Sequence, residues 1–252
     1  MELENVKSEG SEPPAYTPND ETMNSQNPIV QQPGSTGGVG EDWMSIPVGI
    51  SSCAPGLEYL ASVDQLLINQ KAMTLGHKYT VKNALGQKVY FATEQTSVFT
   101  QSYGGKDRHI DIRICDNFDN EVIQVYRPDD CCAGCCEMPP VEVSAPPGNV
   151  IGRIRKTNTL MTPIFHIENH AGDTMLRIEG PPILKFNVNF DILTPGGENI
   201  GKISKQWSGL ARELFTDAEF FGISFPLDLD VSTKATLLGA TFLIDFFYFS
   251  EH

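Results

Sequence analysis

The chain has 252 residues, 40% of them hydrophobic, with 22 glycines, 17 prolines and a formal charge of -14 at pH 7. One large domain or two small ones fit that length, and the glycine and proline content favours turns over long helices. The acid excess offers no basic face to a phosphate backbone, which excludes nucleic acid as the expected partner outside the local tract Arg153-Ile154-Arg155-Lys156.

Residues 1–42 are rich in Pro, Gly, Ser, Asn, Gln and Glu, hold eight acids against the lone cation Lys7, and show no apolar periodicity. Such a segment cannot bury enough surface to offset its ordering entropy, so a disordered tail is expected. Met1–Gly10 has no apolar leader, which predicts a chain kept on the cytosolic side, where cysteines stay reduced. Pro13-Pro14-Ala15-Tyr16 is a PPxY motif, a ligand for a WW domain through a preformed polyproline turn and the Tyr16 anchor; motifs this short also arise by chance. Order is expected from Trp43, as one domain over 43–252. After Pro55-Gly56-Leu57, the helix-like spacing of Leu60, Val63, Leu66 and Leu67 predicts a short docking helix.

From His77 the apolar period becomes two, the strand signature. Ile110-Asp111-Ile112-Arg113-Ile114 and Phe165-His166-Ile167-Glu168 alternate, and Leu184 to Ile192 alternates throughout, so each strand has one core face and one wet face. Asn83 to Gly86, Asp116 to Asn120, Asn169 to Asp173 and Pro195 to Asn199 supply the Gly and Asn that hairpin loops need for positive φ. With further strands around Val141–Arg155 and Ile200–Trp207, the fold class is all-β. About ten to twelve antiparallel strands exceed what an open sheet holds, and closure into a β-barrel removes the exposed edges.

Four thiols in a row of six residues, Cys131, Cys132, Cys135 and Cys136, exceed what packing asks for. A tetrahedral zinc site draws on two separated pairs and no second CxxC exists, which leaves S-acylation as a membrane anchor or an unmodified hairpin tip. His166 to His170 lacks the glutamate placement of a zinc protease helix and reads as strand and turn. From Asp217 to Asp228 the chain places Asp217, Glu219 and Asp228 at the first, third and last positions of an EF-hand-like loop, with Gly222 sixth. Phe221, Ile223 and Phe225 would offer backbone carbonyls only, so the segment is either a weak Ca2+ site or a loop of solvated acids. There is no GxSxG, no P-loop and no GxGxxG after a strand, and no enzyme is expected.

Leu237 to Phe249 is apolar on every side except at Asp245, so a helix over 236–249 must be buried in protein or in lipid. A bilayer core of roughly 30 Å takes about 20 apolar residues, and a central acid adds roughly 2.5 to 3.5 kcal/mol to insertion. Both terms favour a helix inside the barrel over a membrane span.

Ala54-Pro55-Gly56-Leu57-Glu58-Tyr59-Leu60, Gly201 to Leu210, Phe215-Thr216-Asp217-Ala218, Phe225 to Val231 and Gly239 to Phe246 resemble, in this order, the signatures of the phospholipid scramblase family. The resemblance runs from about Ile46 to Phe249. It implies a Tubby-like fold, a twelve-stranded barrel around a C-terminal helix, and calcium-activated bidirectional movement of phospholipids between leaflets, with Asp217 to Asp228 as the calcium loop. It also implies palmitoylation of Cys131, Cys132, Cys135 and Cys136, and a nuclear import signal over Gly201, Lys202, Lys205 and Trp207. The expected location is the cytosolic face of the plasma membrane, as a single-pass type II protein or a palmitoyl-anchored one, with self-association; the nucleus is a further location. An acylated soluble barrel serving as a binding module or adaptor is the alternative. The chain departs from the family's Asp-Ala-Asp-Asn at Asp217-Ala218-Glu219-Phe220, and Pro181 to Phe186 stands where many members carry a second cysteine cluster.

Overall fold

The computed structural model describes residues 43–47, 49–50, 53–72, 77–95, 109–127, 139–157, 162–182, 189–205 and 220–249. Pro13, Pro14, Tyr16, Cys131, Cys132, Cys135, Cys136, Trp207, Asp217 and Glu219 lie outside them.

Twelve strands form one closed antiparallel barrel: β1 (Gln65–Ala72), β2 (His77–Asn83), β3 (Lys88–Glu94), β4 (Ile110–Cys115), β5 (Glu121–Arg127), β6 (Val141–Ser144), β7 (Val150–Thr157), β8 (Ile164–Asn169), β9 (Thr174–Glu179), β10 (Asn189–Leu193), β11 (Asn199–Ser204) and β12 (Phe220–Ser224). Each pairs with its neighbours in the chain, and β12 returns to β1 with Ile68 opposite Phe221 and Leu66 opposite Ile223. No strand edge is left open, as the turn count in the sequence requires.

Period-two alternation decides what the wall shows to each side. Ile112, Ile114, Val125, Val143, Ile154, Phe165, Ile178, Ile192, Ile203 and Ile223 belong to a single buried core. The intervening positions form ion pairs across the wall: Arg153 with Glu142 (3.1 Å), Arg155 with Glu168 (2.9 Å), Arg177 with Glu179 (2.7 Å) and Arg113 with Glu121 (3.6 Å). A membrane-spanning barrel has the reverse pattern, apolar outside and polar inside.

The lumen is filled by α1 (Val231–Ile244), continued by one π turn over Asp245–Phe249. Every residue from Lys234 to Ile244 is buried. The wall approaches closely at Gly239, where a Cβ would lie 3.0 Å from Val143 and 3.2 Å from Val125. Phe242 packs on Tyr79 of β2 at 4.9 Å between centroids. At 14 residues α1 is about 21 Å long, and no helix among the described residues is long and apolar enough to cross a membrane. The run thus lies inside the barrel, the placement that the sequence favoured over a span, and the wall supplies the apolar surroundings that it demands. The helix also starts at Val231 rather than 236, because the Asp230 carboxylate caps it, accepting from the Thr233 amide (2.9 Å) and hydroxyl (3.1 Å).

Two local expectations differ. The docking helix is only a single 3-10 turn, Glu58–Ser62, and Leu66 and Leu67 belong to β1. Leu66, Leu67 and Ile68 are all buried, and such an unbroken apolar run imitates helical spacing. Of the long alternation from Leu184, the described part is β10.

One end of the barrel gathers five tight turns, β2–β3, β4–β5, β6–β7, β8–β9 and β10–β11, together with the 3-10 turn and the start of α1. The turns share one design: the fourth residue has positive φ, at Gly86, Asp119, Gly148, Gly172 and Gly197, and a register shift follows in the adjoining strand pair. This is the three-residue hairpin with a bulge.

Candidate functional site

The turn end is closed by a plug built from Ala54 to Leu60. Gly56 adopts φ +88° and its missing Cβ makes room for Val122, so no other residue fits there. Its carbonyl accepts the buried Tyr90 hydroxyl at 2.7 Å, and its amide donates to Glu58 at 2.6 Å. Tyr59 packs edge-on against Tyr90 and donates its hydroxyl to Asn117 (3.0 Å) in the β4–β5 turn. Burial pushes the Tyr90 phenol well above its ordinary value, with lesser repulsion from Tyr59, Glu58, Cys53 and Asp116.

Lys234 locks α1 to this plug. Its ammonium is fully buried and donates to the carbonyls of Leu60 (2.9 Å), Val63 (2.9 Å) and Leu227 (2.6 Å), 5.3 Å from the Phe225 ring. Burial lowers its pKa, while Asp64, Asp228 and Asp230 oppose that shift. A charge so placed is tolerable because every donor finds an acceptor. Sequence reading missed it, although a lone cation four residues after a capping aspartate in an otherwise greasy helix was the signal available.

Beside the first turn of α1 a cleft of about 520 Å³ opens, lined among others by Asn149, Glu168, His170, Asp230, Ser232 and Thr233. Its carboxylates are engaged, Glu168 by Arg155 and Asp230 by the helix cap. The two described free thiols, Cys53 and Cys115, are pushed up by burial and by nearby acids, the opposite of nucleophile activation.

The opposite end is aromatic. Phe165, Phe190, Phe247 and Tyr248 cluster with centroids 5.3 to 6.5 Å apart, and the Lys156 ammonium stands 4.2 Å from the Phe247 centroid. Tyr248 is 41% exposed. Arg127 and Pro139, which bracket the cysteine-rich segment, and Phe220, which follows Glu219, also lie at this end by strand direction.

The structure divides the proposed calcium loop. Phe221 and Ile223 sit in β12, paired with β1 and their side chains in the core, and Phe225 is buried with its amide on Asp64 (2.9 Å). Asp228 follows β12 at the turn end, while Asp217 and Glu219 lie outside the described residues. Within the described part, Phe220 to Ser224 pairs with β1 and β11 as a strand. Among the described residues no cluster of three or more His, Cys, Asp or Glu could hold a metal.

In the segment singled out for nuclear import, Gly201 and Lys202 lie in β11 and Lys205 just after it. Gly201 is there for packing, since a side chain would strike the Ser224 backbone of β12. Of the basic tract, Arg153 and Arg155 are bound to Glu142 and Glu168, and Lys156 lies over Phe247.

The sequence profile of the Scramblase family matches residues 44–251. Mouse phospholipid scramblase 1 is 43% identical over 239 residues, covering 89% of this chain and 72% of its own length. Bovine phospholipid scramblase 2 is 42% identical over 237 residues, 88% and 80% of the two chains. Human phospholipid scramblase family member 5 is 37% identical over 259 residues, 95% and 93%. These relatives are named for lipid scrambling and not for a metabolic reaction, and on this evidence the chain, with its plug, seam and capped central helix, belongs to the phospholipid scramblase family.

Proposed function

We propose that the chain moves phospholipids between bilayer leaflets in both directions, under calcium control, as a barrel held at the cytosolic face of a membrane with α1 kept inside it. Kinship with named scramblases over most of the chain carries the lipid activity. The filled lumen leaves no interior path for a headgroup, so lipid must cross outside the barrel, along its charged outer wall or through packing disturbed beside it. Cys131, Cys132, Cys135 and Cys136 are the acyl anchor in this reading, supplying the second signal that stable peripheral attachment requires. Calcium would act at Asp217 and Glu219, before β12, or at Asp228, after it, as separate sites.

The test is exchange of a fluorescent lipid in vesicles carrying pure protein, followed in both directions while calcium is titrated, for wild type, Asp217→Ala and Asp228→Ala. Calcium-stimulated exchange in both directions is expected, lost in the variant that removes the operating site. No exchange at millimolar calcium from folded protein would leave the acylated adaptor as the better reading.

A further inference from the structure

The tight turns offer an internal comparison, because four of them are one scaffold with different residues at the third position, Leu85, Phe118, Ala171 and Gly196, while the β6–β7 turn, with Pro147 there, has a cis Ala145–Pro146 bond. In three of them the first residue makes the same clasp. Asn83 accepts from the amides of Leu85 and Gln87, Asp116 from Phe118 and Asn120, and Asn169 from Ala171 and Asp173. The clasp holds the third residue out from the rim whatever its side chain. At Ala171 that costs nothing; Leu85 is 74% and Phe118 66% exposed.

A third apolar side chain joins them. Leu227, 56% exposed, stands in the turn Pro226–Leu229 that follows β12. Since β12, β1, β2, β3, β4 and β5 are consecutive around the barrel, Leu227, Leu85 and Phe118 occupy one half of the rim, while the third positions of the other turns hold Pro147, Ala171 and Gly196. Bulky apolar side chains held in water on rigid turns mark a contact surface.

Area and charge identify what is contacted. Three such side chains present at most roughly 400 Å², about half of the ~800 Å² per partner that a stable protein complex buries. Separate tips on separate hairpins also form no continuous face. A lipid surface needs neither, since each tip enters the headgroup layer by itself. The same sector carries Glu58, Asp64, Asp119 and Asp228 against Lys82 and Lys88, a balance that repels anionic lipid and suits headgroups with an outer ammonium. We infer that Leu227, Leu85 and Phe118 form a three-point insertion surface for a zwitterionic phospholipid layer, at the end of the barrel away from Arg127 and Pro139. The choice of lipid rests in part on the scrambling activity proposed above.

The test is flotation of the full, unacylated chain with phosphatidylcholine vesicles, alone or mixed with phosphatidylserine, without divalent cations. Substituting Leu85→Ser, Phe118→Ser and Leu227→Ser singly should weaken partition by roughly tenfold each, with the melting temperature unchanged because the side-chain clasps of the two hairpin turns and the backbone bonds around Leu227 remain. Met175→Ser, exposed but outside the sector, should leave partition unchanged. Binding unaffected by the triple serine variant, equal loss from Met175→Ser, or tighter binding to the anionic vesicles would each overturn the surface. Tip-dependent binding without lipid exchange would remove the proposed activity and keep the surface. Lipid exchange with tip-independent binding would do the reverse.

Discussion

The two ends of this barrel are built on different principles. The turn end is fixed by specific hydrogen bonds: clasped turns, the Gly56–Tyr90 bond, and the Lys234 ammonium on three carbonyls. The opposite end, in its described residues, is held by aromatic packing and cation–ring contacts around Phe247 and Tyr248. Directional bonds to buried partners are costly to break singly, whereas ring packing loses little from the removal of one polar atom. The greasy helix joins the two, locked at its start by the Lys234 ammonium and set among rings at its finish.

That contrast can be broken most strongly at Lys234. Lys234→Met leaves the carbonyls of Leu60, Val63 and Leu227 without a donor, and unfolding by denaturant should show a loss of about 3 kcal/mol. Tyr90→Phe removes one buried hydroxyl bond and should cost about 1 kcal/mol near neutral pH.

The pH dependence sharpens the same contrast. Tyr90 keeps its proton in the folded state above the pH where an unfolded tyrosine ionises, about 10, so its contribution is whole below that pH and is lost as pH rises beyond it. Lys234, with its pKa lowered, acts in the opposite sense, favouring the folded state as pH rises toward the ordinary lysine value. Above about pH 10 the melting temperature of Tyr90→Phe should therefore fall less with rising pH than that of the wild type.

Much of this architecture is legible in the sequence because it rests on local patterns. The alternation at Ile110 to Ile114 and the Asn- and Gly-bearing turns need only neighbours a few residues away, and they foretell the strands, the hairpins and the need for closure. Leu66 and Leu67 misled because both faces of β1 are buried, which erases the period. The family motifs were informative about fold but silent about chemistry for a related reason: Ala54 to Leu60 is the plug, Gly201 lies at the β11–β12 seam, and Phe225 to Val231 leads into the helix cap. The calcium-loop spacing overlaps a strand, since Phe221 and Ile223 pair with β1, and only register with a distant strand reveals that. The Lys234 lock joins residues more than 170 positions apart in its longest bonds, and no local pattern announces such a contact. The displayed tips at Leu85 and Phe118 were visible only as turn residues until five turns could be compared on one scaffold.

The most direct test of the central claim is a cross-link between α1 and the wall in vesicle-bound protein. Gly239 and Val143 suit it, since a Cβ at Gly239 lies 3.0 Å from a Val143 methyl that cysteine would vacate, within reach of a disulfide's Cβ separation of about 3.8 Å. In a background with the native cysteines replaced, Gly239→Cys with Val143→Cys should oxidise readily on the membrane, and lipid exchange should persist in the cross-linked protein. A pair that oxidises in solution but not on vesicles, or exchange that stops on oxidation and returns on reduction, would mean that the helix leaves the barrel to act.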